Sequence, residues 1–518
     1  MSKRAAPGNE DGRKTSKQSA DTTPSKAVDA NGMEDDEMGE FEDPYGDDFE
    51  SEEEIFEAGG SEDEDDDEQM DGGREKALQA IKEDEEQEEA EDKDKKKAIS
   101  GAQVYLPNLS EPLGPNETME PDLSVYDMLH TFNVEWPCLS FDIIPDHLGN
   151  ERKNYPQTTY MVTGTQASRS KNNEITVMKL SSLSKTLLKD DSDNEDDDED
   201  DEESDPILES RSLSTPHTTN RIRVSPHGQK TGEHLAASMS ESGDVYVWDI
   251  TPHVKSFDTP GTKIEKSMNR PAHTIRNHGN VEGYAIDWSP TVQTGALLTG
   301  DCDGRIFFTR RTQSGWTTDK TAFSAGEMTS SRSIEDLQWS PSQNTVFASC
   351  GSDGFVRIWD TRSKSHKPQV SVRASNTDVN VISWNPVESS QHLICSGDDA
   401  GRWGVWDLRS FSPNNTSSPV ATFDFHKKAI TSIEFHPSDP SVVAVASEDN
   451  TVTLWDLSVE ADDEESGSQD ASLAGIPSQL LFVHWQRDAK EVHWNKQIPG
   501  ALGATGGDGF SIFKTISV

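Results

Sequence analysis

Residues 347–360 read Phe-Ala-Ser-Cys-Gly-Ser-Asp-Gly-Phe-Val-Arg-Ile-Trp-Asp, and this stretch contains the pattern that decides the fold. The small-apolar run 347–351 and the β-branched run ending in Trp359 and Asp360 have the composition of two strands. Asp353 and Gly354 between them signal a turn, because Asp hydrogen-bonds its own backbone and Gly accepts a positive φ. The stretch predicts two antiparallel strands joined by a tight turn.

The strand that ends in an aromatic residue and Asp recurs along the chain. Clear copies lie at 245–249, 356–360, 404–407 and 452–456, and degenerate copies lie at 175–179, 305–309 and 511–514. Upstream, a second strand ends at Trp288, Trp339, Trp384 or Phe435, with weaker ends at Val224 and Trp494. Seven copies of a four-stranded unit predict an all-β fold, a seven-bladed WD-repeat β-propeller, whose closed ring leaves only short sheet edges.

The N-terminal side of the repeats has to complete the ring, because the seventh copy runs to residue 518 without an outer strand. Residues 104–107 (Val-Tyr-Leu-Pro) are the candidate closing strand. Residues 124–132 place four apolar side chains at helical spacing behind a Ser cap, which predicts a short N-terminal helix packed against the ring. The predicted organisation is a disordered acidic tail (1–100), a segment with the closing strand and helix (101–134) and the propeller (135–518).

Charge is concentrated in three runs of this chain, whose formal net charge is −49. The runs 34–92, 190–205 and 460–470 together carry −47, so the other residues are close to neutral. The second and third runs predict acidic loop insertions at 189–206 and 459–475, the first of which includes Asp196, Asp197, Asp198 and Glu199. Flexible acidic segments attract polycations and repel nucleic acid, which favours a basic protein client such as a histone or a ribosomal protein.

Enzyme motifs are not found in the sequence: we find no nucleophile elbow, phosphate loop, H-E-x-x-H helix or Rossmann fingerprint in the required context. Residues 503–509 are glycine-rich, but they lie between two predicted strands with no helix to bind phosphate. The four cysteines are far apart and are interpreted as apolar fillers. We therefore expect a monomeric, soluble, non-enzymatic protein without cofactor or metal and without direct contact to nucleic acid or membrane.

Three motifs carry a resemblance to a known family. They are residues 120–130 (Glu-Pro-Asp-Leu-Ser-Val-Tyr-Asp-Met-Leu-His) with Glu135-Trp-Pro137, Glu282-Gly-Tyr284 within 278–290, and 401–409 (Gly-Arg-Trp-Gly-Val-Trp-Asp-Leu-Arg). With them, residues 101–518 resemble the glutamate-rich WD-repeat family, relatives of the histone-binding WD-repeat subunits of chromatin assembly complexes. The long acidic N-terminus fits the glutamate-rich branch.

The resemblance implies a ribosome-assembly factor, a chaperone for a newly made, basic large-subunit ribosomal protein, the one numbered three, that delivers it to pre-ribosomes. We expect it in the nucleus and nucleolus, with a cytoplasmic pool, and basic clusters near Lys3 and Lys95 resemble nuclear-import signals. Two alternatives stay open. The first is a histone-binding chaperone, and the second is a ubiquitin-ligase substrate receptor, whose Trp-Asp-x-Arg motif occurs at 359–362 and 406–409.

The resemblance also implies two binding surfaces. The top channel of the ring would use Glu135, Asn220, Arg221, Glu282, Tyr284, Glu335 and Asn380. A side groove would use apolar anchors and an acidic loop, namely Val125, Met128, Leu129, Phe132, Glu460, Asp462, Asp463, Glu464 and Glu465. The chain departs from the histone-binding relatives at 475–477 (Gly-Ile-Pro) and at 427–429 (Lys-Lys-Ala), which weakens the case for histones more than the case for a basic client.

Overall fold

The structure, a computed structural model, describes residues 119–186, 205–326, 332–412, 417–460, 476–507 and 509–518. In these ranges the chain forms seven four-stranded antiparallel sheets. The first strand is β1 (Tyr126–Phe132). Three blades follow: β2 (Cys138–Ile144), β3 (Gln157–Thr165), β4 (Glu174–Leu183) and β5 (Ile207–Ser214); β6 (Thr219–Val224), β7 (Leu235–Ser240), β8 (Val245–Asp249) and β9 (His273–Ile275); β10 (Ala285–Trp288), β11 (Ala296–Gly300), β12 (Ile306–Thr312) and β13 (Gly315–Thr318).

Three further blades and the last three strands complete the described sheets. They are β14 (Ile334–Trp339), β15 (Val346–Gly351), β16 (Phe355–Asp360) and β17 (Val370–Arg373); β18 (Val379–Trp384), β19 (Leu393–Asp398), β20 (Trp403–Asp407) and β21 (Ala421–Phe423); β22 (Ile430–Phe435), β23 (Val442–Ser447), β24 (Thr451–Asp456) and β25 (Leu480–Trp485); β26 (Glu491–Trp494), β27 (Ala501–Gly506) and β28 (Gly509–Thr515). The described helices are α1 (Gly228–Thr231), α2 (Thr251–Asp258) and the 3-10 turns Leu123–Val125, Ser170–Asn172, Glu388–Ser390 and Leu408–Ser410.

The repeat that the sequence predicts is confirmed in every blade. All seven copies of the aromatic–Asp pattern are third strands, and the predicted upstream strands are the first strands of their blades. The indole N–H groups of Trp248, Trp359 and Trp406 donate to serine hydroxyls of the neighbouring second strand at 2.8–2.9 Å. The repeated tryptophans are therefore packing residues that also join two strands.

The hydrophobic core lies between neighbouring blades. Between the third and fourth blades, Phe347 stacks on Trp359 with ring centroids 5.9 Å apart, and Trp339 joins the same cluster. Cys138, Cys350 and Cys395 are buried in such clusters, as expected of small apolar residues. In the described ranges no helix has the length and apolar character needed to span a bilayer.

The ring is closed by a strand from the N-terminal side, but the predicted N-terminal helix is wrong. Residues 126–132 form β1, which pairs antiparallel with β28 as the fourth strand of the last blade. The pairing register shifts between Tyr126 and Met128, so one bulged residue reverses the alternation of faces. Apolar residues three and four apart then share faces of a strand, and the spacing imitates a helix. The proposed closing strand at 104–107 lies outside the described residues.

The two acidic insertions occupy equivalent positions in the ring. One falls between β4 and β5 and the other between β24 and β25, which are in both cases the third and fourth strands of a blade. Because strand directions alternate within a blade, third-to-fourth connections emerge at the end of the ring opposite to the starts of the first strands. We call the end where the first strands begin the top face, and the other end the bottom face.

Closure by β1 predicts a large loss of stability when its buried side chains are shortened. Met128 is fully buried, so Met128→Ala should lower the free energy of unfolding by about 2–5 kcal/mol in urea denaturation. Leu123→Ala, in the exposed 3-10 turn before β1, serves as the control and should stay within about 0.5 kcal/mol of the wild type. Equal effects of the two substitutions would contradict closure by this strand.

Candidate binding face and central channel

The central channel is lined by the first strands of the blades, which contact one another around the ring: β2, β6, β10, β14, β18, β22 and β26. Five of them have a register shift one residue after their start. Such a bulge turns a side chain away from the regular pleat at the top face. The bulged positions are Leu139, Asn220, Glu335, Asn380 and Thr431.

Four of the seven predicted top-channel residues share this position. Asn220, Tyr284, Glu335 and Asn380 each lie four residues before the last residue of the first strand, in four successive blades. The structure therefore brings them together in one layer at the mouth of the channel. Glu135 and Glu282 lie in the connections that lead into β2 and β10, and both are exposed at the same face.

The two asparagines of this layer hold blades together. Asn220 Nδ2 donates to the carbonyl of Gly283, and Asn380 Nδ2 donates to the carbonyl of Ile430, both at 3.2 Å and both in the next blade. Thr431 makes the same contact with Ala489. One side of each asparagine is thus committed to the ring, which leaves the amide oxygens as the groups that can face a ligand.

The acidic residues of the layer keep their negative charge close together. Burial raises the pKa of Glu335, which accepts a hydrogen bond from the Ser333 hydroxyl. Burial and the Glu282 carboxylate raise the pKa of Tyr284 to about 12. Burial, Asp399 and Asp353 raise the pKa of Asp378 as well. Carboxylates that perturb one another in this way favour a cationic ligand.

Sequence reasoning missed Asp378 and Asp399. Both are exposed, and the Asp399 N–H donates to the Asp378 carbonyl at 3.0 Å. The signal was present, since Asp399 belongs to the repeated turn between second and third strands and Asp378 stands two residues before Asn380. These turns and the connections into the first strands meet at the top face.

Arg221, by contrast, is not available at the surface as the resemblance implies. Its Nη1 lies 2.9 Å from Glu491 Oε1, and the Arg223 guanidinium contacts both Glu491 oxygens at 3.1 Å. Burial would raise the pKa of Glu491, but the two arginines hold it well below its usual range. Arg221 therefore serves an internal ion-pair network of the channel wall.

His493 completes this network from the next layer of β26. Nδ1 lies 2.8 Å from Glu434 Oε2 and Nε2 lies 3.3 Å from Glu491 Oε2. Burial opposes the charged imidazolium, but the two carboxylates raise the pKa of His493 to about 9. The ring is consequently protonated at neutral pH, and it donates to both carboxylates.

Two further carboxylates in the channel wall accept hydrogen bonds from the backbone of the next blade. Asp287 accepts the Trp339 N–H at 2.7 Å, and burial raises the pKa of Asp287 to about 7. Asp336 accepts the Ile382 N–H at 3.1 Å, and its pKa is raised by burial too. In the ranges that the structure describes, no group of His, Cys, Asp and Glu side chains is arranged to hold a metal ion.

The side-groove residues divide between core and surface. Met128 and Phe132 are buried in the core, whereas Val125 and Leu129 are half-buried beside Leu481 and Phe482 of β25. The structure thus brings the segment before and within β1 next to the strand that follows the second acidic insertion. A groove here would use the half-buried residues of two outer strands, and no helix of residues 124–132 is present to form one wall.

Parts of the predicted acidic surfaces lie outside the described residues. Glu460 is exposed at the bottom face, at the end of a described range. The remaining residues of the two insertions that were predicted to bind a client are not described: Asp462, Asp463, Glu464, Glu465, Asp196, Asp197, Asp198 and Glu199.

Known proteins match this chain over most of its length. The family model of the histone-binding protein RBBP4 and its counterpart in the CAF1 complex matches residues 116–184, and the model "WD domain, G-beta repeat" matches 324–360 and 417–456. The chain is 42% identical to the ribosome assembly protein rrb1 of Schizosaccharomyces pombe, across 93% of this chain and 94% of that protein. It is 41% identical to the glutamate-rich WD repeat-containing protein 1 of Dictyostelium discoideum (78% and 83%) and 38% identical to the protein HEAT STRESS TOLERANT DWD 1 of Arabidopsis thaliana (82% and 96%).

The buried imidazolium predicts a specific pH dependence of stability. A folded-state pKa of about 9 lies above the ordinary value of 6.5, so the stabilisation is complete below pH 6.5 and is lost as the pH rises through 9. Urea denaturation should show the free energy of unfolding falling by about 2 kcal/mol between these limits. His493→Gln should be less stable at pH 6.5 and should show a flatter profile. Parallel profiles for the two proteins would contradict the assignment.

Proposed function

The chain belongs to the glutamate-rich WD-repeat family, and on that basis we propose that it is a ribosome biogenesis factor. It acts as a non-enzymatic chaperone that binds a basic large-subunit ribosomal protein, the one numbered three, and delivers it to pre-ribosomes. The relative of Schizosaccharomyces pombe, which is named a ribosome assembly protein and matches nearly the whole chain, supports the biogenesis role. The site has to supply the reason for a basic client.

The observation that carries the proposal is the uncompensated acidity of the top face. Glu282 and Asp378 are exposed, Glu335 lies with them at the channel mouth, and none of the three has a Lys or Arg within ion-pair distance among the described residues. Charge-assisted hydrogen bonds from lysine or arginine to such carboxylates are stronger than neutral ones. An extended basic segment laid across the mouth would relieve the mutual repulsion of these acids.

The acidic tail and insertions would act before this contact. Segments of high negative charge raise the encounter rate with a polycation through long-range attraction, and covalent attachment keeps the client near the top face at high effective concentration. The insertions begin at the bottom face, opposite to the channel mouth, so a client that reached both would contact two sides of the ring. The same negative charge would keep RNA away from the client until delivery.

Newly made ribosomal proteins are assembled with ribosomal RNA in the nucleolus, so the proposed role places the protein in the nucleus and nucleolus, with a cytoplasmic pool that meets the client. The basic clusters near Lys3 and Lys95 agree with import. The protein would work as a monomer, with the ribosomal protein as its partner and without cofactor or metal.

A histone-binding chaperone is the second candidate, because the histone-binding family model matches residues 116–184. That range contains β1 and the half-buried side-groove residues. Lys427 and Lys428 are exposed in the connection into β22 at the top face, where they reduce the acidity available to a second basic client. Core histones in place of a ribosomal protein in a purified complex would favour this candidate.

The substrate-receptor alternative has one structural observation in its favour. Arg362 and Arg409, the arginines of the two Trp-Asp-x-Arg motifs, are about 70% exposed near the bottom face and each pairs with the aspartate of its own motif. Both are accessible to a flat protein surface. Recovery of a ubiquitin-ligase adaptor that is lost with the double substitution Arg362→Ala and Arg409→Ala would favour this role.

The top-face proposal predicts a loss of client binding when acidity is removed there. Glu282→Gln with Asp378→Asn should weaken capture of the ribosomal protein at least about tenfold, since two charge-assisted contacts are lost. Glu388→Gln, an exposed acid between β18 and β19 at the bottom face, is the matched control and should bind normally. The measurement is quantitative affinity purification from nuclease-treated extract, followed by titration of the recovered client. Full binding by the top-face variant would refute the site.

Removal of residues 1–100 predicts a different effect. The truncated protein should capture the client more slowly, and its binding should depend less on salt, because long-range attraction is screened by salt and the top face remains. Thermal unfolding should be unchanged. Identical association rates of full-length and truncated protein across salt concentrations would show that the tail does not take part in capture.

A further inference from the structure

One contact between blades is built completely in the third blade. His278 is fully buried, and its Nδ1 lies 2.8 Å from Asp301 Oδ2 while its Nε2 lies 2.8 Å from the Thr299 hydroxyl. The Phe307 ring packs edge-on against the imidazole, with centroids 4.8 Å apart. Thr299 and Phe307 are register partners of β11 and β12. Two rings thus fill the space beside the aspartate at the top of this blade.

The fifth blade has the same frame without the two rings. Asp398 accepts the N–H groups two and four residues later, at Ala400 and Arg402, as Asp301 does in the third blade. Ser396 and Gly404 are the register partners that correspond to Thr299 and Phe307. Ser375 stands in the place of the histidine, and its hydroxyl donates to Asp398 Oδ2 at 2.7 Å.

These two reductions in side-chain size leave an open cleft of about 370 Å³ between the fourth and fifth blades. Its lining includes Ser375, Asp398, Ser396, Gly404 and Trp406. Asp398 and Ser396 are more than nine-tenths buried, so the polar groups are fixed at the bottom of the cleft. The Ser396 oxygen accepts the Trp406 indole N–H at 2.8 Å, which leaves the Ser396 hydroxyl hydrogen for another acceptor.

The charges around the cleft favour a basic segment as its occupant. Arg373 and Arg402 line the cleft, and Arg402 Nε lies 3.6 Å from Asp398 Oδ2. Asp378 and Asp399 are exposed within three residues of lining residues. With Asp398, three carboxylates stand against two guanidinium groups, so the surroundings are net negative. A neutral ring with basic neighbours suits this balance better than an acidic or phosphorylated residue.

We propose that the cleft between the fourth and fifth blades binds a histidine side chain of a basic polypeptide, in the place that His278 occupies within the third blade. The imidazole N–H donates to Asp398, and the other ring nitrogen accepts the Ser396 hydroxyl. The ring fills the volume left by Ser375 and Gly404, and neighbouring lysines or arginines of the segment face Asp378 and Asp399. The inference rests on the proposed function in one respect, that the client is basic, and it names the anchor residue of that client.

The test uses fluorescein-labelled peptides and the full-length protein. One peptide carries a single histidine between two basic residues on each side, and matched peptides carry alanine or phenylalanine instead. At about pH 8 the histidine is mostly neutral, so the alanine peptide has the same charge and equal attraction to the acidic tail. Fluorescence anisotropy should show the histidine peptide binding about tenfold more tightly than the other two, as two hydrogen bonds in a sheltered cleft provide.

Variants of the cleft provide the controls. Ser375→His rebuilds the arrangement of the third blade within the chain, so the preference for histidine should fall to about onefold. Ser375→Ala leaves the cleft open and should retain the preference. Thr422→Phe is a second way to fill it, because Thr422 is exposed opposite Gly404 in the sheet and a ring there covers the cleft without altering the buried frame. Thermal unfolding of each variant confirms that the ring is intact.

Three results would overturn the proposal. They are equal binding of the histidine and alanine peptides, equal binding of the histidine and phenylalanine peptides, and a histidine preference that survives in both filled variants. The proposed function fails separately, if affinity purification recovers no ribosomal protein from extract. In that case a tenfold histidine preference that is lost on filling the cleft would still support the cleft, with a different basic client.

Discussion

The free inner edge of each first strand is the constraint on which the ring depends. An edge strand presents unpaired backbone N–H groups, and these strands surround a channel too narrow for another strand. In five of the seven blades a side chain of the preceding blade accepts the N–H of the last residue of the first strand, through Asp142 to Val224, Asp287 to Trp339, Gln338 to Trp384, Ser383 to Phe435 and Glu434 to Trp494. Polar side chains in the channel therefore hold the blades in order around the ring.

This constraint separates the polar residues of the channel into two groups. The lower layers, with Glu491, Arg223 and His493, satisfy one another and the backbone, and they have little capacity left for a ligand. The upper layer is only partly committed, because Asn220 and Asn380 each use one donor while the acids at the mouth keep their charge. Binding capacity thus remains at the top face, where the demands of the fold end.

The sequence predicted the blades well because the repeat is local: turn, strand and aromatic–Asp ending lie within about twenty residues of one another. It predicted the bulge layer only through resemblance, although the constant distance of four residues to the end of the strand is visible in the sequence. The Arg223–Glu491 pair could not be predicted, since its members are 268 residues apart and meet only when the ring closes. The helix was predicted wrongly because a bulge at the start of β1 gives apolar residues a spacing that a helix shares.

Closure also sets an order of events during synthesis. β1 is made first, yet its partner β28 is at the other end of the described chain, so β1 waits unpaired while every blade emerges from the ribosome. Until then the buried side chains of Tyr126, Met128 and Phe132 have no sheet to cover them. A protein of this topology finishes its own ring only after its last strand leaves the exit tunnel. Its nascent chain, like its proposed client, is a dependent of the cell's folding machinery during that interval.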